Sequence, residues 1–420
     1  MKEEKYDVIV AGGGPAGCAA AVSAARSGIR VLLIERYGFL GGMGTAGLVS
    51  PFMSHYAAKS DPVDVDTRID ELQVLNKGIY EEVLDRLEQE SGILKFIDNT
   101  PFDCEKLKSI LLDLVLESGA GLLLHSFVCG VETEDGKITS VSVMNKSGST
   151  KYRADVYIDC TGDGDLAALS GAPVEIGDAV SGKCQPASLM FKMANVDYYT
   201  KRGSVEYALP EEAGMPCGRV LFFMTTHPGE IVVNMTRVVD FDATDAHNLT
   251  NAEIVARRQV QEVAEYLRKN VKGFENSYVS QTAAQIGVRE SRRVVGHYVL
   301  TQEDVLGCSK FSDGICRTAY PIDIHNPTGP GTDMIRVPVG DWYEIPYRCL
   351  VPLDVKNLLI AGRCISATHE ALSSLRIMPN CYCFGQAAGI AAGIAVKEGL
   401  RPEEIPGERV VEILKKERAL

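Results

Sequence analysis

A glycine-rich turn between a short strand and an Ala-rich helix is the feature that most constrains how this chain can fold. Residues 6–12 form a mainly apolar run, the turn reads Gly12-Gly-Gly14-Pro-Ala-Gly17, and a second apolar run over 29–34 follows the helix. Gly12 permits a tight turn, Gly14 lets the backbone approach a pyrophosphate, and Gly17 lets the helix pack closely on the strand. The helix N-terminus then faces the phosphates. The pattern predicts a dinucleotide site on a Rossmann-like fold.

The residues after the second strand discriminate between dinucleotides. Glu35 stands at the end of that strand, where a carboxylate can accept hydrogen bonds from both ribose hydroxyls and disfavours a 2′-phosphate. A second glycine cluster follows at Gly41, Gly42 and Gly44, where an NAD protein would go on to another helix and strand. A second glycine loop suits a longer cofactor whose phosphates and ribityl chain run past it. The sequence therefore favours FAD over NAD and NADP.

Motifs spread over nearly the whole chain resemble those of the FAD-dependent oxidoreductases. They are Gly12-x-Gly14-x-x-Gly17 with Glu35, Gly41-Gly42-x-x-Thr45, Ile158-Asp-Cys-Thr-Gly162-Asp-Gly and Leu359-Ile-Ala-Gly362-Arg. Two further motifs, Gly287-Val-Arg289-Glu-Ser-Arg and Gly385-Gln-Ala-Ala-Gly389, are similar to the branch that includes the heterodisulfide-reductase flavin subunit and, more distantly, fumarate-reductase flavoproteins. The resemblance implies an α/β fold, with a discontinuous Rossmann-like FAD-binding domain and a second α+β substrate domain.

The same resemblance implies a set of cofactor-binding residues. They are Gly12, Gly14, Pro15, Ala16, Gly17, Glu35, Arg36, Gly41, Gly42, Met43, Thr45, Val128, Thr161, Gly162, Gly362, Arg363, Gln386 and Ala387. In related flavoproteins the backbone at the position of Val128 pairs with adenine. The histidine that carries covalent flavin in fumarate reductases has no counterpart near Thr45, so FAD is expected to be non-covalent. No metal ligand set is predicted.

The positions of these motifs predict the domain organisation. The FAD-binding domain is expected to comprise 1–53, 101–175 and 346–420, with a helical insertion over 54–100 and a substrate domain over 176–345 that lies across the flavin. Apolar residues at helical spacing mark a helix from Ile79 to Leu87 in the insertion.

Two local signals predict elements within these domains. Asp135-Gly136 between two apolar runs predicts a hairpin. In the substrate domain a charged helix is predicted over 251–270, with Thr250 as its N-cap and Glu253 completing a capping box.

Candidate catalytic side chains are Arg289, His369 and Arg376. His369 and Arg376 lie in the linker between two cofactor motifs, where a histidine can transfer a proton and an arginine can bind a carboxylate by two hydrogen bonds. Structural roles remain open at each position. His369 can be bonded to backbone, Arg376 can pair with Glu290 or Glu370 or contact FAD, and Arg289 can form a buried ion pair with Glu290 or another domain's carboxylate.

Absent cysteine motifs and the overall charge argue against several classes of function. The chain contains neither a CxxC nor the Cys-x4-Cys that disulfide reductases place after the first glycine loop, which argues against dithiol exchange and bound iron–sulfur clusters. Lys and Arg number 43 and Asp and Glu 56, a net charge of −13 that argues against a nucleic-acid partner. Scattered cysteines and an N-terminus without a secretory signal predict a cytoplasmic protein. The longest small-apolar stretch, 381–396, is shorter than a membrane span requires.

These observations predict an FAD-dependent oxidoreductase that transfers a hydride between a small polar or anionic substrate and the flavin. The alternative is a flavin electron-transfer component that acts with a separate redox partner as electron donor or acceptor. A flavoprotein that modifies a macromolecule and a non-redox protein with structural FAD also remain open.

Overall fold

The computed structural model describes residues 3–57, 72–200, 202–329 and 331–420. The helices are α1 (Pro15–Arg26), α2 (Ile79–Gln89), α3 (Cys104–Glu117), α4 (Asp165–Leu169), α5 (Ala246–Asn270), α6 (Gln302–Leu306), α7 (His369–Leu375), α8 (Met378–Glu398) and α9 (Gly407–Lys416). The strands are β1 (Glu3–Lys5), β2 (Val8–Ala11), β3 (Val31–Ile34), β4 (Phe52–Met53), β5 (Asn99–Thr100), β6 (Gly121–Leu123), β7 (Phe127–Glu134), β8 (Lys137–Asn145), β9 (Gly148–Arg153), β10 (Val156–Asp159), β11 (Val174–Ile176), β12 (Phe191–Ala194), β13 (Ser204–Ala208), β14 (Arg219–Met224), β15 (Ile231–Val233), β16 (Tyr278–Thr282), β17 (Arg292–Val294), β18 (Gly314–Thr318), β19 (Ile322–His325), β20 (Thr332–Ile335), β21 (Tyr343–Pro346) and β22 (Leu358–Ile360).

A five-stranded parallel sheet forms the centre of the cofactor-binding part. Its order is β22-β10-β2-β3-β6, so β2 lies between β10 and β3. The strands are short and mainly apolar, as expected for a sheet covered on both faces. The chain completes this sheet with β22 only after building the intervening segments. The predicted α/β, Rossmann-like fold is confirmed.

Side chains alternate between the two faces of this sheet and divide the core in two. Val8, Val10 and Leu33 belong to one hydrophobic cluster with α1, α3 and α8, whereas Ile9 and Leu32 belong to another. The second cluster includes buried residues of β8 and β9, which pair with each other and with β7 and β1 in a four-stranded sheet. The cofactor-binding part therefore consists of helices, parallel sheet and a second sheet in layers.

Helices α1 and α8 lie in close contact beside the parallel sheet. A Cβ at Gly385 would lie 2.0 Å from the carbonyl oxygen of Ala16, and one at Gly389 would lie 2.5 Å from that of Ala20. No Cβ fits at those distances, so glycine one turn apart on α8 is what lets the two backbones approach. The long apolar pattern of α8 thus serves packing inside the protein.

The segment between β10 and β22 contributes a five-stranded antiparallel sheet of order β13-β14-β15-β12-β16. The predicted charged helix exists as α5, but its predicted start is wrong. Asp245 caps the helix by accepting a hydrogen bond from the Asn248 amide, five residues before the expected cap. Thr250 instead donates to the carbonyl of Ala246, and Glu253 accepts from the amide of Ile286. The helix begins earlier than predicted because the carboxylate of Asp245 can already accept a hydrogen bond from a free amide of the first turn.

Two other local predictions are confirmed. Asp135 and Gly136 both have positive φ, 50° and 74°, and connect β7 to β8 as a hairpin. The helix expected from Ile79 is α2, although part of the proposed insertion, 58–71, lies outside the described residues. Within the described ranges, no helix is both long enough and apolar enough to cross a bilayer.

Candidate cofactor and substrate site

A cavity of about 370 Å³ lies at the carboxyl ends of the parallel strands. Parallel α/β sheets bind ligands at this edge. The predicted site residues that line it are Gly12, Gly14, Pro15, Ala16, Glu35, Arg36, Gly42, Met43, Val128, Thr161, Gly162, Arg289, Gly362, Arg363 and Arg376. The fold therefore brings segments separated by more than 300 residues around one cavity.

The first glycine turn leaves room for a phosphate at the N-terminus of α1. Gly14 is the N-cap residue, and no side chain caps this helix within the described chain. A Cβ at Gly14 would meet only the Cα of Gly42, at 3.9 Å, so the protein itself has space for a side chain there. Gly17 differs, because its Cβ would lie 1.7 Å from the Gly12 carbonyl oxygen. An uncapped helix end beside open space fits a pyrophosphate.

Glu35 is held at the cavity wall by the backbone. One carboxylate oxygen accepts a hydrogen bond from the Gly13 amide at 2.5 Å, and the other accepts from the Tyr37 amide at 2.9 Å. Burial raises the pKa of this carboxyl. Glu35 also lines the cavity, and a carboxylate there suits the hydroxyls of a ribose.

Glu35→Ala is expected to raise the Kd for FAD by at least about tenfold, the effect of losing one charge-assisted hydrogen bond. Equilibrium titration of apoprotein with FAD measures this change. Glu35→Gln is the control. Its amide oxygen can still accept the hydrogen bond from the Gly13 amide, so this variant shows whether a loss of affinity comes from a disturbed glycine loop or from lost ribose binding. A wild-type Kd in the Ala variant would contradict the role of Glu35.

Arg363, which follows β22, connects the loop after β10 to the segment before β17. Its guanidinium donates to the Ser291 hydroxyl and to Asp163 Oδ1, both at 2.8 Å. Thr161 donates to Asp159 at 2.7 Å and accepts from the Asp165 amide, which fixes the turn that carries Gly162. These bonds keep the wall of the cavity in place without a ligand.

Several predicted cofactor residues do not line the cavity: Gly17, Gly41, Thr45, Gln386 and Ala387. The Thr45 hydroxyl donates to the Leu40 carbonyl at 2.7 Å and closes the second glycine turn. Gln386 accepts from the Ile79 amide at 3.0 Å and donates to Glu417 at 2.9 Å, so it connects three helical segments. Ala387 is fully buried in the core. In this structure these residues contribute to packing and turn formation, and their predicted cofactor contacts stay a prediction.

His369, the predicted catalytic histidine, also lies outside the cavity lining. His369 is the first residue of α7, and its ring Nδ1 lies 2.8 Å from Glu290 Oε2, away from the cavity lining. Glu290 has no exposed surface and also pairs with Arg293. His369 thus belongs to a buried ion-pair cluster, and its ring is already engaged by a carboxylate.

The two predicted arginines face the cavity together, and neither pairs with Glu290. Arg289 donates to the Pro186 carbonyl at 2.7 Å, to the Ser188 hydroxyl at 2.8 Å and to Asn234 Oδ1 at 3.3 Å. Burial lowers its pKa to about 9, and the charge of Arg376 adds to that shift.

Arg376 shows the same kind of environment. Its Nη2 donates to Gln185 Oε1 at 3.0 Å and to the backbone carbonyl of Asp323 at 3.3 Å. Burial lowers the pKa of this guanidinium as well. Both side chains therefore donate to neutral acceptors in a water-poor wall.

Among the cavity residues that sequence reasoning missed are Tyr320, Asp323 and His325, which form a polar cluster. His325 Nε2 lies 3.7 Å from Asp323 Oδ2, and the Tyr320 hydroxyl donates to the same oxygen at 3.3 Å. Burial alone would raise the pKa of Asp323, but the facing imidazole and the two guanidiniums hold it well below its ordinary value. The sequence signal that could have found Asp323 and His325 is the alternation of side chains along a strand. The two residues are two positions apart on β19, which places both side chains on one face of the strand.

The outer wall of the cavity comes from β14. Arg219, Leu221 and Phe223 alternate along this strand and face the cavity, with Met190 beside them. Arg219 pairs with Glu206 of the neighbouring strand, so its charge is compensated. This half of the cavity combines two arginines, Arg289 and Arg376, that face one carboxylate, Asp323, with an apolar surface.

Comparisons with known proteins identify the family. The family model described as FAD dependent oxidoreductase matches residues 7–414. Digeranylgeranylglycerophospholipid reductase of Thermoplasma volcanium is 26% identical over 200 residues, which cover 46% of this chain and 48% of the relative. The corresponding reductase of Thermoplasma acidophilum is 24% identical over a stretch of the same length. The chain thus matches about half the length of these curated relatives.

Solved structures show the same fold at low identity. A geranylgeranyl bacteriochlorophyll reductase-like protein from Thermoplasma acidophilum has a TM-score of 0.51 at 16% identity, covering 100% of this chain and 85% of that one. A p-nitrophenol 4-monooxygenase from Pseudomonas putida has a TM-score of 0.51 at 11% identity, covering 98% and 84%. The finer likeness to heterodisulfide-reductase and fumarate-reductase flavoproteins stays a prediction. With its parallel sheet, its glycine turn and a family match over nearly its whole length, the chain belongs to the FAD dependent oxidoreductase family and is an enzyme that uses FAD.

Proposed function

We propose that this enzyme transfers a hydride between a small anionic substrate and non-covalent FAD. The observation that carries the proposal is the pair Arg289 and Arg376, which line the same cavity as the cofactor loop and donate to neutral acceptors. These two partly exposed cations, with Asp323 as the facing carboxylate, leave one positive charge in the wall. A carboxylate or phosphate on the substrate would balance that charge and bind by charge-assisted hydrogen bonds.

The proposed cofactor half of the site comprises the predicted residues that line the cavity. Gly14 and the N-terminus of α1 would receive the pyrophosphate, Glu35 the ribose, and the backbone of Val128 the adenine. The N-terminal end of α8, where Met378 and Cys381 line the cavity, would lie beside the flavin ring. Its positive dipole end favours the negative charge of reduced flavin. FAD supplies the hydride chemistry, while the protein binds, orients and excludes water.

The apolar wall extends the proposed range of substrates. Leu221 and Phe223 of β14 give a substrate with apolar groups a surface to bury beside its anionic group. The Thermoplasma relatives bear the name of a phospholipid reductase, which is compatible with a substrate of mixed character. The anion-binding pair and the apolar wall therefore act on different parts of one molecule.

Anaerobic titration of the holoenzyme tests this function and its alternative. Small carboxylates and phosphate esters, with and without apolar groups, are added singly while the flavin absorbance is followed. Bleaching by one of these compounds alone is the expected result. Reduction that occurs only when a redox protein is supplied would instead establish the alternative, an electron-transfer component with a partner.

A further inference from the structure

A polar cluster opposite the cofactor loop contains the cavity's one histidine among the described lining residues, His325. Its ring lies against Asp323 on the same strand, and only 6% of its surface is exposed. A carboxylate that contacts one ring nitrogen fixes the orientation of an imidazole and leaves the ring able to exchange a proton. His325 therefore has the position for proton transfer that His369 lacks.

The charges that face His325 come from several elements. Asp323 lies on its own strand, Arg376 follows α7, and Arg289 precedes β17. Burial is the main cause that lowers the pKa of His325 to about 3; the charges of Arg289 and Arg376 act in the same direction, and Asp323 opposes them. The phenol of Tyr320 stays neutral, because burial and the charge of Asp323 raise its pKa well above the ordinary value. Without a bound anion, burial and the two guanidiniums together thus keep the imidazole neutral.

We infer that the substrate's anionic group, by binding to Arg289 and Arg376, is what enables His325 to accept a proton from the substrate. The inference rests on the proposed function. An anion between the guanidiniums cancels their repulsion of a protonated imidazole, while Asp323 remains to stabilise it. In the oxidative direction the substrate loses a hydride, with its two electrons, to FAD and one proton to His325. The product leaves with two hydrogens fewer, and the reverse reaction returns the proton.

The test measures the protonation of His325 by NMR in holoenzyme with ring-15N-labelled histidine. His325→Asn assigns the signal, and Arg376→Met and Arg289→Met each remove one facing cation. Each Arg variant is expected to raise the proton affinity of His325 at least about tenfold, as removal of a unit charge at close range requires. Arg257→Met, a partly exposed cation on α5, is the control and leaves the titration unchanged. Two Arg variants are used so that one unstable variant does not end the test.

A second arm adds malonate to the wild-type holoenzyme as an anionic probe. Malonate is expected to bind and to raise the proton affinity of His325 in the same direction as the Arg variants. The inference would be overturned if the titration of His325 were the same in both Arg variants as in the wild type. It would also be overturned if His325 were already protonated at pH 7 without an anion. Failure of malonate to bind, with a His325 signal that still responds to the Arg variants, would instead refute the proposed anion site.

Discussion

Gly14→Val is expected to fold normally and to lose FAD. The side chain meets open space in the protein, where its first atom lies 3.9 Å from the nearest neighbour, and Gly14 has an extended backbone with φ of −73° that valine adopts readily. The branched side chain fills the place where a pyrophosphate approaches the backbone. Losing two charge-assisted hydrogen bonds at about 1.5–3 kcal/mol each would weaken FAD binding by roughly 100- to 10,000-fold.

Flavin absorbance per protein after purification and the Tm of the apoprotein measure the two effects separately. Gly17→Val is the matched control, since its side chain would overlap the Gly12 carbonyl and should lower the Tm or prevent folding. Full FAD occupancy in Gly14→Val would show that the pyrophosphate does not lie against this turn.

Arg376→Met is expected to raise the substrate concentration needed for half-maximal flavin reduction by roughly 30- to 4000-fold, the range of about 2–5 kcal/mol for truncating one partner of a buried charged pair. FAD content should not change, because the arginine is proposed to bind the substrate and lines the cavity beside Asp323. Arg376→Lys should restore little, since an ammonium cannot form the planar two-point contact of a guanidinium. Anaerobic stopped-flow reduction with the substrate found by titration measures these constants.

His369→Gln is the control for this series. His369 contacts the fully buried Glu290 and does not line the cavity, so its loss should lower the Tm while leaving the dependence on substrate concentration unchanged. An Arg376→Met enzyme with wild-type substrate dependence would remove this arginine from substrate binding.

Local sequence determined the cofactor chemistry because its signals lie in one short stretch. The glycine turn, the helix and Glu35 follow one another within 35 residues, and each constrains backbone conformation or charge at its own position. The parallel strands could be predicted for the same reason, since continuous apolar runs are what a sheet buried on both faces requires. The hairpin at Asp135-Gly136 likewise follows from two adjacent residues that tolerate positive φ.

Only the tertiary structure decided which distant side chains share the cavity. His369 stands beside a cofactor motif in sequence, yet the first turn of α7 directs its ring to Glu290. His325 stands far from any motif, yet β19 places it with Asp323 opposite the cofactor loop. The physical reason is that a residue's neighbours in sequence determine its backbone, whereas the direction and partners of its side chain depend on how elements pack. The sequence by itself determined that this protein binds a dinucleotide, and the packing of segments that are distant in sequence decided which histidine lines the cavity.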